Sequence, residues 1–170
     1  MMSEKIKIIS VIVENKPGVL HLIANLFRRR NFNIESITVG ATQDKDIARM
    51  TITVNADEKT FEQVVKQVTK QIDVIKVEAL EQGNFVMREL ALIKVEITDS
   101  KKRSDVINFV NVFRGKIVDI SPYSLTVEIT GEPNKIDAFL NLMKTFGVLE
   151  IARTGITALS RGAKVIKIDE

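Results

Sequence analysis

Residues Ile6 to Phe27 read IKIISVIVENKPGVLHLIANLF, and the change of rhythm inside this stretch decides the fold. Ile6, Ile8, Ile9, Val11, Ile12 and Val13 form a mostly apolar run, which suits a buried strand. The run stops at Glu14-Asn15-Lys16-Pro17-Gly18. Pro17 carries the fixed φ that suits a first helical turn, with Asn15 or Lys16 before it as the cap. Val19, Leu20, Ile23, Leu26 and Phe27 then recur at helical spacing and leave His21, Asn25, Arg28 and Arg29 on other faces. A strand gives way to a helix across one short turn.

Outward from that turn the alternation continues. Asn33 to Val39 reads as a second strand, with a slip in apolar phase between Ile34 and Ile37 that suggests a bulge. After a turn at Gly40 to Asp46, Met50, Ile52 and Val54 alternate against Arg49, Thr51 and Thr53. Asp57 opens a second helix with an apolar stripe of Phe61, Val64, Val65, Val68 and Ile72, and Ile75, Val77 and Ala79 alternate as a fourth strand. The order βαββαβ is the split βαβ, or ferredoxin-like, unit.

Glu81-Gln82-Gly83-Asn84 breaks the pattern, and then it restarts. Ala91, Ile93, Val95 and Ile97 alternate; Val106, Ile107, Val110 and Phe113 are helical, with Gly115 at the helix end; Ile117 to Ile120 is a strand. Leu125, Val127 and Ile129 alternate, Pro133 starts a helix carrying Ile136, Phe139, Leu140 and Met143, Gly147 ends it, and Val148 to Arg153 closes the set. The expectation is an α+β chain of two tandem ferredoxin-like βαββαβ domains, residues 1–80 and 85–170. In the basic tail from Thr154, Ala163 to Ile168 is a candidate edge strand.

Composition narrows the chemistry. With 45% hydrophobic and 28% charged residues in 170, the chain has a globular balance, which excludes collagen-like and low-complexity readings. No apolar run approaches the ~20 residues that cross a bilayer, and the N-terminus enters the alternating pattern at once, so a cytoplasmic protein is expected. Zero Cys removes disulfides, thiolate nucleophiles and Cys-based zinc. His21 is the lone histidine, too few for a His-rich metal site, and no metal ligand set is assigned. The net charge of +3 is a slight basic excess, so Arg28-Arg29-Arg30 and Lys101-Lys102-Arg103 read as solvated helix ends or a protein contact, with no nucleic-acid face. No phosphate loop is present, and Asp44/Asp46 sit in a turn where Asp is favoured by its backbone hydrogen bonds, so no catalytic residue is assigned.

One place points to a ligand. A helix start offers unpaired N–H groups and a positive dipole end, which suit a carboxylate. Gly18 leaves room for close approach, and Asn15 and Asn33 each carry donors and an acceptor able to serve a carboxylate and an ammonium. Thr38 adds a hydroxyl if it points the same way. The residue types have a structural reading too: Asn15 as a cap, Gly18 as packing relief, Asn33 as a turn residue. Pattern alone leaves both open.

The stretches Glu14-Asn15-Lys16-Pro17-Gly18-Val19-Leu20, Asn33-Ile34-Glu35-Ser36-Ile37-Thr38-Val39 and Arg49-Met50-Thr51-Ile52 resemble the small, regulatory subunits of acetolactate synthase, also called acetohydroxyacid synthase. So do Arg88-Glu89-Leu90, Phe113-Arg114-Gly115-Lys116-Ile117-Val118-Asp119, Ala152-Arg153-Thr154-Gly155 and Leu159-Ser160-Arg161-Gly162 in the second half. The resemblance implies an N-terminal ACT domain and a C-terminal α+β domain in a non-catalytic chain. It further implies a homodimer whose ACT domains bind a branched-chain amino acid, typically valine, at their shared interface. By motif, Asn15, Gly18 and Asn33 would hold the effector, Val19 and Leu20 would supply backbone donors, and Ile34 and Thr38 would form the pocket wall. The catalytic subunit would be a separate chain holding thiamine diphosphate, Mg²⁺ and FAD, with no cofactor in this chain. His21 stands where the resemblance implies a small or polar residue, which bears on effector selectivity. The other reading is a stand-alone ACT amino-acid sensor acting on another enzyme or on transcription.

Overall fold

The structure, a computed structural model, describes residues 6–81 and 83–166. It contains β1 (Ile6–Glu14), α1 (Val19–Arg29), β2 (Ser36–Ala41), β3 (Ile47–Asn55), α2 (Glu58–Thr69), β4 (Val74–Ala79), β5 (Phe85–Glu96), α3 (Ser100–Val112), β6 (Lys116–Ile120), β7 (Ser124–Gly131), α4 (Pro133–Lys144), β8 (Val148–Arg153) and β9 (Thr157–Ser160). These form two compact units, Met1–Val86 with Ile156–Glu170, and Met87–Gly155. The fold is α+β with one ferredoxin-like βαββαβ set in each unit, as the alternation implied.

In the first unit the strand order is β2-β3-β1-β4, and every neighbouring pair is antiparallel. The alternate positions Ile9, Val11, Val13, Met50, Ile52 and Val54 meet Ile23, Leu26 and Phe27 of α1 and Phe61, Val64 and Val68 of α2 in one buried cluster. Asp57 caps α2, its carboxylate accepting from the Thr60 amide. Burying so much aliphatic surface is the main stabilising term, at roughly 1.5–3 kcal/mol per large side chain.

The opposite face of this sheet is also covered. Ile8, Ser10, Ile12, Thr51 and Thr53 are all buried. Over it runs the segment starting at Ile156: Thr38 Oγ1 donates to the Ile156 carbonyl at 2.8 Å, and the Ile156 amide donates to Ser36 Oγ at 3.3 Å. Ile156 and Ala158 are 4% and 2% exposed. The chain from Ile156 groups with the first unit, where the hydroxyls of Ser36 and Thr38 bond the Ile156 backbone, and β9 within it hydrogen-bonds to β5.

The second unit has order β6-β7-β5-β8, with Ala91, Ile93, Val95, Leu125, Val127 and Ile129 facing Val106, Val110, Ile136, Phe139 and Met143. Arg153 ties it together, donating from Nε to Glu89 at 2.7 Å and from Nη1 to Asp137 at 2.6 Å.

Several local expectations are corrected. β2 begins at Ser36 and pairs with β3 without a register shift, so the slip between Ile34 and Ile37 marks the coil before the strand, not a bulge. α2 ends at Thr69, leaving Ile72 91% exposed beyond it. Arg114 takes the left-handed turn after α3 at φ 54, ahead of Gly115. Residues 163–166 form no strand, and the remainder of that candidate, residues 167 and 168, lies outside the described residues.

Candidate functional site

The turn between β1 and α1 is held from both sides. The Asn15 backbone amide donates to the Asp46 carbonyl at 2.7 Å, and its Nδ2 donates to the Lys45 carbonyl at 2.7 Å. Lys16 lies between Glu14, at 2.5 Å, and Asp73, at 2.6 Å. Hydrogen bonds to Asp73 and then Glu14 raise its ammonium well above the ordinary lysine range, so it stays charged. Both residues named as helix caps are thus spent on the turn, and the helix starts later. Gly18 is the N-cap, at φ 93 and ψ −16. A Cβ there would meet nothing within 4 Å, so this glycine answers a backbone need for positive φ, not a shortage of space.

A consequence follows for anion binding. The helix start has no side-chain cap and no acidic residue in its first turn. The Val19 amide makes only a long bond to the Lys16 carbonyl, at 3.5 Å, so the helix start keeps capacity for an incoming acceptor, with the positive end of the dipole behind it. Val19 is buried in the core and Leu20 is 49% exposed beside the turn. From Gly18 an open groove of about 750 Å³ runs along α1 past His21, Asn25, Arg28 and Arg29. His21 Nε2 is 2.6 Å from Asn25 Nδ2, one helical turn on, and the pair is exposed.

The remaining expected effector residues lie elsewhere. Asn33 follows α1, with its Nδ2 donating to Glu35 Oε1 at 2.7 Å, and Glu35 in turn bonds the Thr53 carbonyl. Asn15 sits beside Asp46 at the other end of β3. At ~3.3 Å per strand residue, Asn15 and Asn33 of one chain are separated by roughly 20 Å. Ile34 packs against the core cluster. Thr38 belongs to the face covered by Ile156, where its hydroxyl is already donated. One chain therefore gathers Asn15, Gly18, Val19 and Leu20 at one end of the sheet, and Asn33 and Ile34 at the other. Between the two ends runs β2, an edge strand with Val39 and Gly40 exposed.

Residues with no part in this junction have structural partners. Asp44 Oδ1 accepts from the Asp46 amide at 2.9 Å, a local turn bond. In the basic clusters, Arg30 reaches Gln67 at 3.0 Å and Arg103 the Pro122 carbonyl at 2.8 Å. No group of His, Asp or Glu suited to a metal ion occurs among the described residues, and no helix there is long and apolar enough to cross a membrane. Sequence reasoning missed the role of Ile156, because a single isoleucine in a loop-like stretch gives no periodic signal.

Known proteins share this architecture and its motifs. Residues 9–76 match the AHAS small subunit-like ACT domain, and residues 88–162 match the small subunit of acetolactate synthase. A probable acetolactate synthase small subunit of Methanothermobacter thermautotrophicus is 54% identical over 159 residues, covering 94% of this chain and 95% of that one. The acetolactate synthase small subunit of Mycobacterium bovis is 52% identical over 165 residues, covering 97% and 98%. The crystal structure of the small subunit from Thermotoga maritima superposes with a TM-score of 0.88 at 44% identity, covering 94% of this chain and 99% of that one. Matched along both halves, in sequence and in fold, the chain belongs to the family of acetolactate synthase small subunits, the regulatory and non-catalytic partners in that enzyme.

Proposed function

We propose that this chain binds the thiamine-diphosphate-dependent catalytic subunit, raises its activity, and confers feedback inhibition by a branched-chain amino acid, valine in the first place. Two copies form the effector site together. The observation that carries this is the separation of the Gly18 turn from Asn33 along one sheet, with the unpaired edge of β2 between them. Antiparallel pairing of β2 with its copy about a two-fold axis lays the Asn33 end of one chain beside the Gly18 end of the other. The effector's carboxylate then meets the uncapped start of α1, and the Asn33 amide of the second copy reaches its polar head.

Inhibition needs only a modest energy. If the amino acid binds the inhibited state tenfold more tightly than the active one, the coupling is about 1.4 kcal/mol. The catalytic chain would carry thiamine diphosphate, Mg²⁺ and FAD, and the pair would work in the cytoplasm. The test adds the purified chain to candidate catalytic subunits and measures acetolactate formation with and without valine. The expected result is stimulation that valine reverses; a catalytic subunit indifferent to the chain refutes the reading.

A further inference from the structure

A second cavity lies within the first unit, where the segment from Ile156 runs over the covered face of the sheet, and it shares no lining residue with the groove beside α1. Its volume of about 510 Å³ falls in the ~300–1,000 Å³ range of small-molecule pockets. Ile12, Leu159 and Val165 supply apolar wall. Gln43, Arg49, Ser160 and Lys164 supply the polar groups, and no Asp or Glu lines it among the described residues.

The two cations are not equivalent. Lys164 is engaged by Glu78 at 2.8 Å and Glu81 at 3.7 Å. Arg49 makes one long bond, from Nη2 to the Ala158 carbonyl at 3.4 Å, and its buried Nε–H has no partner among the described residues. Burial holds its guanidinium below the ordinary arginine range, with the charge of Glu78 acting the other way. A half-buried guanidinium short of acceptors is stabilised by an anion, and its planar fork of donors matches a carboxylate.

We propose that this cavity is a second ligand site, for a small carboxylate anion with an aliphatic body and no ammonium group. The carboxylate pairs with Arg49, while the body lies against Ile12, Leu159 and Val165. An α-amino acid fits badly, because its ammonium finds two cations and no carboxylate in the lining. Inorganic phosphate shares the charge and lacks the body.

The test titrates the full isotopically labelled chain with 4-methylpentanoate, leucine and inorganic phosphate, following the amide signals of Gln43, Arg49 and Ser160. Saturable shifts with 4-methylpentanoate are expected, with leucine and phosphate weaker at these signals by about tenfold or more, ~1.4 kcal/mol. Arg49→Gln should weaken 4-methylpentanoate by a similar factor and Arg49→Lys by less. If Arg49→Gln does not fold, Leu159→Trp, at a half-exposed strand position, fills the cavity and should abolish the shifts. Absence of saturable shifts, leucine or phosphate binding there as tightly as 4-methylpentanoate, or folded variants that bind unchanged would overturn the proposal.

Discussion

Mixing two defective variants tests whether the effector site is shared between copies. In Gly18→Asp the new carboxylate would stand where the proposed effector's carboxylate approaches, and such like-charge contact costs several kcal/mol, on the order of a hundredfold or more in affinity. The added Cβ meets no atom within 4 Å, but holding Asp at a φ of 93 costs roughly 1–3 kcal/mol of backbone strain, so a thermal melt of the variant accompanies the binding assay. Asn33→Ala removes a hydrogen bond to a charged group, worth about 1.5–3 kcal/mol. Each variant alone should bind valine poorly. When the two are refolded together, about half of the dimers pair one chain of each kind. In such a dimer one site carries both lesions and the other carries neither, so about a quarter of all sites recover wild-type affinity. Calorimetry on the tagged and purified mixed dimer should find one tight site per dimer. A mixed dimer that stays silent, while light scattering confirms its assembly, would refute the shared site and leave both halves to be sought within one chain.

Other perturbations test the fold around it. Ile156→Ala should cost about 2–4 kcal/mol in denaturant unfolding, since the side chain is 4% exposed; a loss within error would show that the segment from Ile156 is not seated on the sheet. A fragment ending at Gly83 lacks that cover, bares Ile12, and should self-associate in light scattering; supplying residues 156–166 through a linker should restore a discrete species. Arg153→Met leaves Glu89, 8% exposed, without its partner and should cost about 3 kcal/mol, whereas a double change that also makes Glu89→Gln recovers part of the loss. Asp57 and Asp99 are held below the ordinary carboxylate range, first by the backbone amides of Thr60 and Lys102. Their contribution is complete above the unfolded-state value and disappears as pH falls through the lower folded-state one. Replacing both with Asn should flatten the acid limb of a plot of Tm against pH, and an unchanged limb would count against these caps.

The sheets and helices were legible because each buries one face, and period two or 3.6 in Ile, Val and Phe reports that directly. The turns were less so. Asn15 has the right chemistry for a helix cap, but the helix starts at Gly18, three residues on, and the Asn15 side chain is anchored by its Nδ2 on the Lys45 carbonyl of another turn, a contact that spacing along the chain does not record. Gly18 was singled out for the room it leaves, when its positive φ is what the turn requires. Thr38 illustrates a different limit. Alternation along β2 tells that Thr38 and Ile37 point to opposite faces; it does not tell that the second face is occupied, by a segment more than a hundred residues later. The junction residues were identifiable by motif, whereas the opposite placement of Asn33 needed the strand register.

The order in which the chain leaves the ribosome gives the seated Ile156 segment a further meaning. The four strands and two helices of the first unit emerge early, yet the strap that closes their second face follows the 69 residues of Met87–Gly155. At ordinary synthesis rates of ~5–20 residues per second, that interval lasts roughly 3–14 s. For that time the nascent sheet shows Ile12 to solvent, together with a row of hydroxyls lacking their backbone partner. The first unit is begun first and finished last, so early termination anywhere in the second unit yields a nascent chain marked for capture by chaperones or proteases, not a free half-subunit.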